Sequence, residues 1–276
     1  LVELEGLGVQ GASLLIDMVA EVQRHRTDVL MSADPARESE RAQNRKRLDA
    51  ALAALDRWIK QNPELDLGTL WGETRSDIGA LSHELAGKDS AAVFAQHAKV
   101  VDGLRKLTLY VGETSKLVLD SEGDSYFLQD VLTAQAVPWL DATSHLQAVG
   151  AAWVGQLPDK DAQVAALATI ADLTDERTWV VREKLLAHAR AGGTASFKND
   201  EALAATQALT RAARDGFGKN PTPESASAFV TLAGTALQAG ETMRRKLASL
   251  LQDRLDQRQS AALRQEGKLC PLELVA

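Results

Sequence analysis

The sequence has a single cysteine, seven prolines and few aromatic residues, which account for 4% of its 276 positions. The lone Cys270 excludes an intrachain disulfide framework and any metal site built from several cysteines. No stretch of eighteen apolar residues occurs, so these residues contain no predicted transmembrane helix. The formal net charge of −7 leaves no surplus of lysine and arginine, which argues against nucleic acid as a partner.

Sequence signatures of catalysis are also missing. There is no phosphate-binding loop, no glycine-rich dinucleotide turn, no Gly-x-Ser-x-Gly elbow and no zinc-protease signature. No His-x-x-x-His pair occurs, and the spacing of Asp120, Glu122, Asp124 and Asp130 is not that of a calcium-binding loop. We therefore predict that the chain is not an enzyme and has neither a cofactor nor a metal. Asp124 is expected to cap a helix that begins at Ser125.

What the sequence does have is helical periodicity. Apolar residues make up 45% of the chain, alanine and leucine are abundant, and apolar positions recur at three- and four-residue spacing. Eight helices are predicted from this pattern and from the proline, glycine and capping residues between them. They extend up to residue 30 and over residues 35–62, 69–85, 90–119, 125–154 with a kink at Pro138, 158–191, 196–217 and 223–263.

Short turns between long helices imply antiparallel neighbours, so we predict an all-α fold of two four-helix-bundle modules. The domain is expected at residues 1–264, with the first bundle mainly at 10–120, the second mainly at 121–264, and long helices shared between them. Residues 265–276 lose the helical period and are expected to form a tail outside the domain, whose native origin the sequence leaves open. The tryptophans are expected to anchor the core: Trp58, Trp71, Trp139, Trp153 and Trp179.

Polar residues interrupt the apolar stripes of three predicted helices. His25 takes a core position of the first helix, with Arg26 beside it, and His97 takes one on the fourth. On the second helix, Arg41 and Asn44 stand where apolar residues should continue. In an up-down-up-down bundle these positions fall at one level, because His25 and His97 each lie about eight residues from neighbouring helix ends. Burying such groups costs several kcal/mol unless they find partners.

Two interpretations of this polar layer are open. In the functional one, arginine and histidine side chains bind a small polar or anionic ligand, and the ligand-binding residues are His25, Arg26, Arg41, Asn44 and His97. In the other, the layer is a solvated, loosely packed end of the bundle, or its histidines are satisfied by neighbouring side chains.

Residues 117–130 (LVLDSEGDSYFLQD) resemble a motif of extracytoplasmic sensor domains of bacterial transmembrane receptors, namely methyl-accepting chemotaxis proteins and sensor histidine kinases. In those domains the block is followed by a Leu-Pro-x-Leu turn of helix, whose place is taken here by residues 136–140 (AVPWL). Residues 23–26 (QRHR) are similar to their Gln-x-His-Arg segment, and residues 94–97 (FAQH) to their Phe-x-x-His segment. Residues 247–258 resemble the closing helix that runs into the second membrane span, and the resemblance covers most of residues 10–263.

The predicted architecture is similar to that of nitrate- and nitrite-sensing domains, in which two stacked four-helix bundles hold an oxyanion between arginines of facing helices. Arg26 corresponds to the first of these arginines, although Thr27 follows it where those sequences usually have glycine. Residues 150–153 contain no counterpart of the second arginine. The resemblance therefore implies ligand sensing and leaves the ligand open.

The resemblance further implies a periplasmic domain, anchored in the bacterial inner membrane by spans before residue 1 and after about residue 264. It implies a homodimer, with an expected interface along the first helix, and a small displacement between the first and last helices as the signal. We therefore predict a ligand-sensing domain. The alternative is a helical scaffold that recognises a periplasmic partner protein, and a cytosolic coiled-coil adaptor is a weaker one.

Overall fold

The computed structural model describes residues 2–83, 87–119, 122–193, 197 and 200–269. Within these ranges the chain is helical and contains no strand, which confirms the all-α prediction. The α-helices are α1 (Val2–Leu30), α2 (Glu38–Gln61), α3 (Gly68–Gly79), α4 (Ser90–Thr114), α5 (Gly123–Asp130), α6 (Ala136–Val154), α7 (Lys160–Ala165), α8 (Leu167–Arg190), α9 (Glu201–Arg211) and α10 (Pro223–Leu269). Short 3-10 segments follow at Pro35–Arg37, Pro63–Leu65 and Leu117–Leu119, and π segments at Val131–Gln135 and Ala212–Gly216.

Helix boundaries follow the local chemistry of the sequence. The carboxylate of Asp34 accepts a hydrogen bond from the Ala36 backbone N–H, and Pro35 opens the 3-10 turn that leads into α2. Gly192 has φ of +92°, a conformation that glycine adopts without strain, and it follows the end of α8. Both of these helix ends agree with the boundaries predicted from the sequence.

Several predicted boundaries are wrong in detail. Helix α3 ends at Gly79 rather than near residue 85, and the stretch predicted at 158–191 is divided into α7 and α8. The irregularity expected at Pro138 takes the form of a π turn just before it, where the Ala136 N–H bonds the Val131 carbonyl, because a proline cannot continue the regular ladder. Helix α10 runs past residue 263 to Leu269. The predicted start at residue 196, Asp120 and the tail after residue 269 lie outside the described residues.

Asp124 does not cap its helix, contrary to the prediction. Helix α5 begins at Gly123 with Glu122 in the capping position, so Asp124 already lies in the first turn. Its carboxylate instead makes an ion pair with Arg254 of α10. An acidic residue at this position also faces the positive end of the helix dipole, which is a favourable arrangement.

Helix α1 is the central element of the fold, since it contacts α2, α4, α6 and α10. Only Glu3 and Gln10 are exposed between residues 2 and 30. An interface between two copies along α1, as expected from the sequence, would therefore have little surface to use.

The apolar core does not separate cleanly into two modules. One large cluster joins residues of α1 to α4 with residues of α5, α6, α8 and α10, and a second cluster fills the space between α6, α8, α9 and the first half of α10. Trp58, Trp71, Trp139 and Trp153 are buried, as predicted for core anchors. Trp179 is 60% exposed on α8, so its assignment to the core was wrong.

Helices α1 and α10 run antiparallel and are joined by ion pairs at three levels. These pairs are Glu5 with Arg258 at 3.4 Å, Asp17 with Arg244, and Arg24 with Glu241 at 2.5 Å. The start of α1 therefore lies beside the later part of α10. Among the described residues, no helix combines the length and apolarity needed to cross a membrane.

Candidate ligand-binding site

The five residues predicted to bind a ligand are all buried, between 1% and 8% exposed. The structure brings two of them, His25 and His97, into direct contact. It places the other three in two adjoining networks, because neighbouring residues on a helix point in directions about 100° apart. Arg41 and Asn44 belong to α2 and bond to residues at the end of α1, whereas Arg26 of α1 bonds to α6.

Three histidines form a continuous hydrogen-bonded chain, which we call the histidine chain: His83, His25 and His97. His83 Nδ1 and His25 Nε2 are 2.9 Å apart, and His25 Nδ1 and His97 Nε2 are also 2.9 Å apart. His97 Nδ1 lies 2.8 Å from the Val93 carbonyl oxygen. His83 is exposed, whereas His25 and His97 are 4% and 1% exposed. The chain therefore leads from the surface into the interior.

The Val93 carbonyl fixes the proton positions along this chain, because it can only accept a hydrogen bond. His97 must donate from Nδ1, so Nε2 of a neutral His97 accepts from Nδ1 of His25. Nε2 of a neutral His25 then accepts from Nδ1 of His83. All three neutral rings thus carry the proton on Nδ1.

Burial keeps the interior histidines neutral. Desolvation is the main cause that lowers the pKa of His25 to about 4, and the electrostatic effects of His83 and Arg45 act in the same direction. Desolvation is also the main cause that lowers the pKa of His97 to about 3, with the nearby charge of Arg26 acting in the same direction. At neutral pH the layer therefore contains imidazole hydrogen-bonding groups without added positive charge.

Arg41 and Asn44 hold the end of α1 against α2. Asn44 Nδ2 donates to Asp28 Oδ2 at 2.7 Å, one helical turn beyond His25. The Arg41 guanidinium donates to the Asp34 carbonyl at 2.7 Å and makes an ion pair with Glu38 at 2.6 Å. Desolvation raises the pKa of the buried Asp28 carboxyl group, although its bond from Asn44 opposes this. These groups satisfy each other and give Arg41 and Asn44 a structural role in this state.

Arg26 is the least satisfied charged group of the polar layer. Its guanidinium is 2% exposed, and it donates one hydrogen bond, from Nη2 to Ser144 Oγ at 2.9 Å. The carboxylate of Asp141 is 3.7 Å away and 32% exposed. Arg26 Nε is buried and has no hydrogen-bond partner. A guanidinium has five donors and stays protonated in proteins, so its hydrogen-bonding capacity is largely unused here.

His145 lies on the same helix as the partners of Arg26. Its ring meets Phe94 edge-on, with centroids 5.1 Å apart. Desolvation lowers the pKa of His145 to about 4, with a further contribution from the charge of Arg26. Arg26 is therefore flanked by neutral histidines on α4 and α6.

An open groove of about 510 Å³ lies between α1, α6 and α10, and Gln23 is one of the residues that line it. The amide of Gln23 donates to Asp141 at 3.3 Å, so the groove is separated from the Arg26–Asp141 pair by this side chain. Charged residues of both signs line it: Glu21, Arg24, Arg47, Glu241 and Arg245. Neither Arg26 nor Asp141 lines the groove, and Gln23 is the residue that contacts both the groove and this pair.

Sequence reasoning missed three groups of the site. His83 lies within the predicted helix 69–85, but α3 ends at Gly79, so the helical period does not give the direction of the His83 side chain. Asp141 and Ser144 are on α6, which follows a π segment. The sequence pattern therefore does not indicate which side of α6 faces α1. The Arg26 guanidinium and the Ser144 hydroxyl group are donors that suit an anion. No three histidine, cysteine or acidic side chains in the described ranges are arranged to hold a metal ion.

Comparison with known proteins gives no relative: no protein-family model, curated protein or solved structure matches this chain. The function must therefore be argued from the geometry of the site.

Proposed function

We propose that this chain is a ligand-sensing domain that binds a small anion at Arg26. The observation that carries the proposal is a fully buried guanidinium that lacks a hydrogen-bonded carboxylate and has an unpaired Nε. Charged groups are almost never buried without a partner, because desolvation costs several kcal/mol per ion. An oxyanion or carboxylate beside Arg26 supplies that partner, and the Ser144 hydroxyl group can donate a further hydrogen bond to it.

The signal follows from the position of Arg26 on α1. Two residues before it, Arg24 holds Glu241 of α10, and the Asp17–Arg244 pair follows along the same two helices. Helix interiors are close-packed, so a change at Arg26 is passed on rather than absorbed locally. We expect α10 to shift against α1 by about 1–2 Å, the usual scale for packed helices. The ligand must bind the two registers with different affinity.

The receptor context is part of the same proposal. The pairing of the start of α1 with the later part of α10 puts two output helices side by side, as a membrane-anchored receptor needs. We propose a periplasmic domain of an inner-membrane receptor, anchored by spans outside this sequence. In this proposal α1 to α4 form one four-helix module and α5/α6, α8, α9 and α10 the other. A homodimer would use a face other than α1.

The proposal is tested by thermal unfolding at pH 6 with nitrate, sulfate, phosphate, acetate and succinate at constant ionic strength. At least one anion should raise the unfolding temperature in a saturable way, since it binds only the folded state. Arg26→Met keeps the length of the side chain and removes the charge, and it should abolish the shift. Arg105→Ala removes an exposed arginine of α4, which is 44% exposed, and should leave the shift intact. The absence of any shift, or equal shifts in wild type and Arg26→Met, would contradict anion sensing.

A second candidate function is recognition of a protein partner, and the exposure of Trp179 favours it. This side chain is 60% exposed, and Leu173 on the same helix is 43% exposed. Large exposed aromatic residues are enriched in protein interfaces. If α8 is an interface, Trp179→Ser should change the oligomeric state in sedimentation velocity or weaken the binding of a partner protein. The free energy of unfolding should change by no more than about 0.5 kcal/mol, as for other surface substitutions.

A further inference from the structure

We propose that the anion at Arg26 is taken up together with one proton, which the histidine chain accepts from solvent at His83 and holds on His25 or His97. This inference rests on the proposed anion site and adds its regulation and ligand class. For a monovalent anion such as nitrate, the anion and the proton would enter the site as a neutral pair. Affinity for the anion would then report the external pH.

The geometry of the chain allows a proton to travel without any ring rotation. In the neutral state every ring nitrogen of His25 and His97 is engaged, and the outer nitrogen of His83, Nε2, is the free end of the chain. A proton that binds there makes His83 a cation, which can pass its Nδ1 proton to Nε2 of His25. His25 can in turn pass its Nδ1 proton to Nε2 of His97. The excess charge moves inward by two short transfers, each across 2.9 Å.

The charges around the chain explain why the proton needs the anion. His25 is affected by His83 and by Arg45 of α2, and His97 by Arg26 of α1, by His25 and by Lys88 before α4. On α6, His145 is affected by Arg26 and by Asp141. The titratable groups that act on the two interior histidines are therefore all basic and oppose an added proton, whereas the hydrogen bond from His97 to the Val93 carbonyl favours one. An anion at Arg26 would offset the charge of the group with the largest electrostatic effect on His97, and it would attract the proton.

Thermodynamic linkage makes this coupling reciprocal. If the anion raises the proton affinity of the chain, protons must raise the affinity for the anion by the same factor. For one coupled proton, the dissociation constant can fall by at most about tenfold for each unit of decreasing pH. Nitrate and sulfate stay fully ionised above pH 5, so any proton taken up from solvent when they bind must be held by a group of the protein.

The experiment is calorimetric titration of the whole chain with sodium nitrate and sodium sulfate at pH 5.5, 6.5 and 7.5. Each titration is repeated in three buffers that differ in ionisation enthalpy, and the dependence of the observed heat on that enthalpy gives the number of protons bound. We expect an uptake of between about half and one proton at pH 5.5 and an affinity that rises by about tenfold from pH 7.5 to 5.5.

The double variant His25→Gln/His97→Gln should still bind the anion through Arg26 but take up no proton, because glutamine keeps hydrogen-bonding capacity without titrating. His188→Gln is the matched control: His188 is a buried histidine of α8, 3% exposed, that bonds the Asp124 carbonyl, and its loss should leave the uptake unchanged. If the double variant does not fold, histidine ¹⁵N spectra of the wild type replace it. They should show Nδ1-protonated rings without anion, and an imidazolium signal from His25 or His97 once anion is added at pH 5.5.

The outcomes separate the two proposals. Anion binding that depends on Arg26 but shows no proton uptake and no pH dependence overturns the coupling and leaves the anion site standing. Proton uptake that persists in the double variant overturns the assignment to the histidine chain and points to His145. If neither salt binds at any pH and no anion of the panel raises the unfolding temperature, the anion site itself is wrong, and the coupling with it.

Discussion

Two arginines are buried against α1, and their surroundings differ in one respect. Arg244 and Arg26 are each 2% exposed, and each has a buried Nε without a partner. Arg244 makes a direct ion pair with the carboxylate of Asp17, whereas Arg26 donates to a hydroxyl group and has its closest carboxylate at 3.7 Å. The carboxylate of Asp17 is hydrogen-bonded to Arg244, whereas the ion pair of Arg26 with Asp141 is longer and includes no hydrogen bond. The difference suggests that burial alone does not mark a binding site, but burial with an unmet charge does.

The largest effect is expected from acid, which should lower the free energy of unfolding through the buried histidines that surround Arg26. The lowered pKa values of His25, His97 and His145, about 3 to 4 in the folded state against about 6.5 when unfolded, mean that the unfolded chain binds more protons below pH 6.5. The free energy of unfolding is therefore unaffected by these groups above pH 6.5 and falls as the pH drops from 6.5 towards 4. Each pKa unit corresponds to about 1.4 kcal/mol, so the loss is several kcal/mol in all.

Urea unfolding between pH 7.5 and 4.5 measures this loss. Arg26→Met should flatten the pH dependence, because removing the charge of Arg26 lets His97 and His145 take up protons more easily. Arg244→Met should not flatten it. The raised pKa values of Asp28 and Glu21 act in the opposite direction in every variant, so the comparison between variants is the informative quantity. Parallel curves for the two variants would show that Arg26 does not control these histidines.

The same substitution at the two arginines should differ in its effect on stability at pH 7.5. Arg244→Met removes a buried charge-assisted hydrogen bond and should lower the free energy of unfolding by about 2–3 kcal/mol. Arg26→Met removes a buried charge whose only ion pair, with Asp141, is 3.7 Å long. Asp141 is exposed enough to be solvated without it, so stability should stay within about 1 kcal/mol or rise. Urea unfolding without added anion provides both values. A loss at Arg26 as large as that at Arg244 would mean that Arg26 is already satisfied.

The sequence predicts the helices well and the site only partly, for a physical reason. Apolar period and capping residues report on local structure, so the ends of α1, α2 and α8 could be predicted. The pairing of His25 with His97 could be anticipated because both occupy core positions of their helices. The neighbours of Arg26 depend on how α6 is rotated about its axis. That rotation is set by the π turn before α6, which the apolar period of the sequence does not predict. His83 lies outside any helix, and Trp179 occupies a helix face that the tertiary packing leaves uncovered.

The smallest effect on stability should come from giving Arg26 the carboxylate that Arg244 already has. Ser144 is fully buried, and its Oγ lies 2.9 Å from Arg26 Nη2, so Ser144→Asp would place an anionic oxygen within reach of the guanidinium. The desolvation of the new carboxylate and its attraction to Arg26 should nearly cancel, which leaves the free energy of unfolding within about 1 kcal/mol of wild type. The variant should no longer respond to added anions in thermal unfolding, because the site is occupied by its own side chain. Ser144→Ala, which removes the hydroxyl group and adds no charge, should keep a weakened response. If Ser144→Asp retains the full anion-induced shift, the anion binds somewhere other than Arg26.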